Sequence, residues 1–163
     1  MKEKGIKGMG ILLHVSIGVS ALYLITVLVL NFVPSIVGGI FFPKGVAYEP
    51  GTDRFSIIGA AIALVLSLAF YLMVLIKRKN GSIFRWYHTC LMVLFALFCV
   101  FIPVLMNMFS AIEAATFFTS GQISQNAYTY LNMLLRATTM ARYLNIISVA
   151  MFVGAFCGSY KKN

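Results

Sequence analysis

No charged side chain occurs between Lys7 and Lys44, between Arg54 and Lys77, between Arg85 and Glu113, or between Arg142 and Lys161. Each gap holds about the 20 apolar residues that a helix rising 1.5 Å per residue needs to cross a hydrocarbon core about 30 Å thick. Soluble domains carry a charge at roughly one residue in four; here the share is 10% and the mean hydropathy is +0.93. The chain therefore reads as an all-α integral membrane protein, a four-transmembrane-helix bundle forming a single polytopic domain over 1–163. The first apolar run is too long for a secretory signal peptide and lacks its small-residue cleavage site, so it reads as a retained span.

The net charge of +9 does not point to nucleic acid, because the basic residues are not spread over a soluble face. They cluster at span ends. Lys2, Lys4 and Lys7 precede the first span, Lys77, Arg78, Lys79 and Arg85 join the second to the third, and Lys161 and Lys162 follow the fourth. By the positive-inside rule these segments face the cytoplasm, so both termini are expected there, most simply at the plasma membrane. Lys44 and Arg54, balanced by Glu49 and Asp53, belong to the opposite side.

The spans are expected over 9–33, 55–76, 86–110 and 138–160, with an outer loop at 34–54, an inner loop at 77–85 and an outer hairpin tip at 111–137. The outer loop holds Pro34, Gly38, Gly39, Pro43, Gly45, Pro50 and Gly51, which rules out a continuous helix, yet Ile36 to Phe42 is too apolar for a solvated linker. An ordered outer lid is the expectation. Asn80-Gly81 marks the inner turn. The third apolar run is long: as one helix, Trp86 to Phe118 would reach about 50 Å. Pro103 is expected to kink it, and the part beyond Asn107 to tilt, protrude or lie in the interface. The last two spans thus form a long outer hairpin that turns near Ser120 to Asn126.

Small residues recur at every fourth position in the second span, at Gly59, Ala63 and Ser67, with a matching run at Ser16 and Ser20 in the first. Such stripes let backbones approach closely in lipid, so these two helices are expected to pack on each other.

Ionised groups in or near a span are costly unless paired, snorkelling or hydrated, which singles out Glu113, Arg136 and Arg142. Folding the hairpin about Gly121 brings Glu113 within reach of Arg136 and sets Arg142 near the level of Pro103, with Asn107 and Asn145 close by. One outcome is a polar pocket open to the outer side, suited to an anionic solute, a headgroup or a proton relay, or used as a partner contact. The plainer outcome is that both arginines snorkel and Glu113 is interfacial. His14, His88, Cys90 and Cys157 fall in the inner half without the spacing of a metal site, and Cys99 reads as a small buried residue. No metal, cofactor or catalytic residue is expected, because no nucleophile has a base within reach.

These features favour a non-enzymatic accessory or regulatory component that packs against another membrane protein or forms a homo-oligomer in the lipid bilayer, with no nucleic-acid role. A subunit of a small-solute or ion transporter or channel is the alternative, and a membrane enzyme acting on lipid or quinone a third.

Overall fold

The computed structural model describes residues 2–79 and 86–159. It is all-helical among these residues: α1 (Lys2–Phe32), α2 (Pro34–Phe41), α3 (Arg54–Lys79), α4 (Trp86–Thr119) and α5 (Gln125–Ser159). All but α2 are long and apolar enough to cross a membrane. Their outward side chains are aliphatic or aromatic along much of their length, as Ile25, Val65, Phe98 and Ile147 show, which marks an integral membrane protein. The expected Asn80-Gly81 turn and the basic residues Arg85, Lys161 and Lys162 lie outside the described residues.

The long helices form a ring in the order α1, α3, α4, α5, each antiparallel to both neighbours. The register is read from contacts: Asn31 meets Asp53, Ser67 meets Cys99, Phe95 meets Phe152, and Ser16 meets Ser148. The α1–α5 interface that closes the ring is the most extensive. The start of α1 and the end of α5 thus share one end of the bundle, the terminal end; α2 and the 120–124 turn share the other, the α2 end.

Lipid offers no hydrophobic drive for helix association, so the interior must be held by van der Waals packing and by hydrogen bonds. Toward the terminal end the core is aromatic, with Phe70 stacked on Phe95 at 4.3 Å and Phe152 edge-on to both at 6.0 and 5.5 Å. Toward the α2 end Tyr23, Val27, Val37, Tyr130 and Leu134 form a second cluster. Between them lies a buried polar belt of Ser16, Ser20, Ser67, Asn145 and Ser148.

The small-residue stripes are used, but not on each other. Gly59 faces α4: a Cβ there would stand 3.0 Å from Met106 Cβ and 3.2 Å from Pro103 Cα. The Ala63 carbonyl accepts from the Cys99 thiol at 3.8 Å, and Ser67 Oγ lies 3.9 Å from the same sulfur. The α1 stripe faces α5 instead, where the Ser16 carbonyl accepts from the Ser148 hydroxyl at 2.8 Å. A stripe marks where a backbone comes close; in a ring every helix has two neighbours, and spacing along one chain cannot choose between them.

Within the 111–137 stretch expected between the spans, only a short turn is non-helical. Helix α4 runs unbroken to Thr119, and α5 starts at Gln125. The turn explains this economy. Gly121 adopts a left-handed φ of 72°, its N–H donates to the Phe118 carbonyl at 3.1 Å, and the Gln122 N–H donates to Phe117 at 2.9 Å, a Schellman termination. Ser124 then caps α5, its hydroxyl accepting from the Ala127 N–H at 3.1 Å.

The loop 42–53 and α2 form an ordered lid on the start of α5, as the apolar loop sequence suggested. Phe42, Tyr48 and Tyr130 stack with centroids 5.2, 5.5 and 6.4 Å apart. The Ser124 hydroxyl also donates to Glu49 Oε2 at 2.7 Å. Gly38 is obligatory beneath Tyr48, since a Cβ there would overlap the phenol ring and its hydroxyl.

Candidate functional site

The polar side chains at the α2 end divide into an acidic cleft, a lateral groove and an interior hydrogen bond. The acidic cleft begins with Asp53, which ends the lid and caps α3: its Oδ1 accepts from the Ser56 N–H at 2.9 Å. The Asp53 N–H donates to Asn31 Oδ1 at 2.7 Å, while Asn31 Nδ2 donates to the Val27 carbonyl at 2.9 Å, so the end of α1 fixes the start of α3. From α4, the Ser110 hydroxyl also donates to Asp53 Oδ1.

One carboxylate oxygen of Asp53 is thereby saturated. The other, Oδ2, has no hydrogen-bond partner among the described residues, although the residue is only 4% exposed. Asp53 lines a cleft of about 240 Å³ together with Ser110 and Glu113 from α4, Leu131 and Leu135 from α5, and its neighbour Arg54. Glu113 is half-buried there, and among the described residues no ion pair joins it to Arg136 or Arg142. The α3 N-terminus favours negative charge at Asp53 by its dipole. A buried carboxylate oxygen that receives no hydrogen bond is nonetheless costly even with Arg54 on the same rim, so the arrangement suits a small cation or an ammonium group entering the cleft beside Asp53 and Glu113.

Arg136 lies on the other side of the α4–α5 seam, exposed, in a groove of about 520 Å³ that it shares with Asn107, Asn132, Thr139 and Tyr143. Leu135 borders both spaces. Asn107 connects them structurally: its Oδ1 accepts from the Ser56 hydroxyl at 2.6 Å and its Nδ2 donates to Thr139 Oγ1 at 2.9 Å, joining α3 to α5 across α4.

Arg142 and Asn145 point into the bundle rather than to either opening. Pro103 has no N–H to give the carbonyl four residues back, that of Cys99. Asn145 Nδ2 takes that carbonyl at 2.6 Å, from a residue with no exposed surface. The short amide fits this buried position, whereas Arg142, half-buried, lies where its charge acts on the Tyr23 hydroxyl together with that of Asp53.

The single pocket imagined from Glu113, Arg136, Arg142, Asn107 and Asn145 is therefore not one constellation. The missed residues are Asp53, Ser56, Ser110 and Thr139. Asp53-Arg54-Phe55-Ser56 ahead of a charge-free run is a legible helix cap, but in a net charge count Asp53 merely balances the loop cations. Ser110 carries no signal of its own.

At the terminal end His14 Nδ1 lies 2.8 Å from the Tyr71 hydroxyl on an exposed face, His88 is buried beside Tyr87, and Cys90 and Cys157 are exposed. Among the described residues no three His, Cys, Asp or Glu side chains converge.

No protein-family model, curated protein or solved structure matches this chain.

Proposed function

We propose that this protein is a non-enzymatic component of the plasma membrane that binds a small cationic group at its outer face and acts as an accessory to a partner or within a homo-oligomer. The α2 end is taken as outer, following the distribution of Lys and Arg. One observation carries the reading: a buried carboxylate oxygen of Asp53 is left without a partner at a cleft that also holds Glu113. A binding role is favoured over a catalytic one because Asp53 is immobilised as the cap of α3, its other oxygen holding two hydrogen bonds. An accessory role is favoured over autonomous transport because Phe70, Phe95, Phe152 and Phe156 fill the terminal half of the interior, against a polar path from the cleft through a lone bundle. Helix α4, the least buried of the long helices, offers a face for a neighbouring helix.

The test is thermal unfolding of the protein in lipid nanodiscs with sodium, potassium or ethylammonium chloride replacing choline chloride at constant ionic strength. A specific ligand stabilises by RT ln(1 + [L]/Kd), about 2.7 kcal/mol at a hundredfold excess over Kd. Stabilisation by one of these small cations, absent in Asp53→Asn, supports the proposal. Parallel curves for both proteins under every salt would overturn it. Gentle extraction with size analysis and mass spectrometry tests the accessory part, which a lone monomer that moves solute in vesicles would refute.

A further inference from the structure

The lateral groove has chemistry opposite to that of the cleft. Four polar residues of α5 fall on one stripe, Asn132, Arg136, Thr139 and Tyr143, and all line the groove. Asn107 and the small Ala111 form the facing wall on α4. Among the described residues Arg136 has no acidic partner and no hydrogen bond. Thr139 Oγ1 is fixed as an acceptor by Asn107 Nδ2, which leaves its hydroxyl hydrogen to donate elsewhere. The donors are therefore a guanidinium, a hydroxyl and an amide, the set that recognises a phosphate.

Depth identifies the source of that phosphate. Ser56 hydrogen-bonds Asn107 and lies 3.5 Å from Thr138, so Arg136 sits near the level of Asp53 and Arg54, where the charge-free run of α3 begins. That level is the boundary between headgroups and hydrocarbon. Thr139 and Tyr143 lie about 4.5 and 10 Å further toward the bilayer centre. A phosphate on Arg136 would carry its glycerol past Thr139 and an acyl chain down past Met140 and Tyr143, and the small Ala111, one turn outward of Asn107, leaves room for the phosphate beside Arg136.

We infer that the α4–α5 groove is a binding site for one phospholipid, its phosphate held by Arg136 and Thr139 and one acyl chain laid along the groove. This does not depend on the cation reading of the cleft, because neither Asp53 nor Glu113 takes part.

The test is native mass spectrometry of the protein released from nanodiscs of phosphatidylcholine containing either phosphatidylglycerol or, as a chain-matched control without phosphate, diacylglycerol. The expected result is one retained phospholipid per chain, no retained diacylglycerol, and at least a tenfold loss of phospholipid occupancy in Arg136→Gln. Ala111→Phe should give the same loss by filling the groove while keeping the arginine. Circular dichroism and thermal unfolding in detergent confirm that each variant is folded; a misfolded Ala111→Phe leaves Arg136→Gln to decide. Equal retention of diacylglycerol, or unchanged phospholipid in folded Arg136→Gln, overturns the site. Displacement of the lipid by millimolar inorganic phosphate would show that the headgroup alone is read, and would overturn the place of the chain.

Discussion

Pairing of Asn145 with the carbonyl that Pro103 orphans makes a quantitative prediction about the bundle's interior. Asn145→Leu keeps the side-chain volume close to native but removes the only side-chain donor to the Cys99 carbonyl among the described residues. Hydrogen bonds between membrane helices contribute about 0.6 kcal/mol on average and up to about 1.7. A bond of 2.6 Å to a carbonyl with no backbone donor belongs near the upper end, because losing it leaves a buried acceptor unpaired. Against this, leucine also removes Asn145 Oδ1, itself buried without a partner, which recovers part of the loss. The single substitution should therefore destabilise by about 1 kcal/mol. The decisive quantity is the coupling. Pro103→Ala restores an N–H that can bond Cys99 within the helix, so in that background Asn145→Leu should cost close to nothing, giving a coupling energy of about 1 kcal/mol. The assay is a double-mutant cycle by reversible unfolding in mixed micelles, with helix content followed by circular dichroism. Additivity within about 0.3 kcal/mol would refute the argument that the asparagine substitutes for the missing backbone donor.

Gly59→Ala should destabilise by about 1–3 kcal/mol in the same unfolding assay, because the new methyl meets the Pro103 backbone, which cannot swing aside. Gly38→Ala should release the lid rather than unfold the bundle, read as faster proteolysis within 42–53 with little change in helix content, since its Cβ displaces Tyr48. Asp53→Ala should lose about 1 kcal/mol of helix-cap stabilisation relative to Asp53→Asn, whose amide oxygen still accepts from Ser56; equal stability of the two would argue against the cap. Gly121→Ala, forced into a left-handed φ, should cost about 1 kcal/mol and shift the thermal midpoint down.

The sequence made the number of membrane helices plain because hydrocarbon excludes charge, but the charge gaps did not mark their ends, since α4 runs past Glu113 and α5 contains Arg136 and Arg142. The lid was equally legible: apolar residues among prolines and glycines must pack somewhere. Partner choice was not. Gly59, Ala63 and Ser67 announce a close contact without saying with which helix, and only the ring order decides for α4. The orphan carbonyl near Pro103 could be anticipated, but Arg142 and Asn145, three residues apart, share a face of α5, and only the depth of each along the helix decides that the asparagine meets Cys99. The acidic cleft was hidden for another reason. Its members come from the lid and α4, and Asp53 becomes unusual only once Asn31 and Ser110 close around it.

Closure of the ring by the first and last helices has a consequence for biogenesis. The Ser16–Ser148 bond joins positions 132 residues apart, and α1 turns Ser16, Ser20 and Tyr23 inward. During synthesis these hydroxyls enter the bilayer long before α5 exists to shield them. Until then α1 is a polar-striped helix with an unfilled side, held in lipid at the cost of polar groups that lack their interhelical partners. The interior face of α1 is thus covered only when α5 docks, and a truncation that removes α5 leaves the Ser16 carbonyl and the Ser20 side of that helix without the neighbour that buries them.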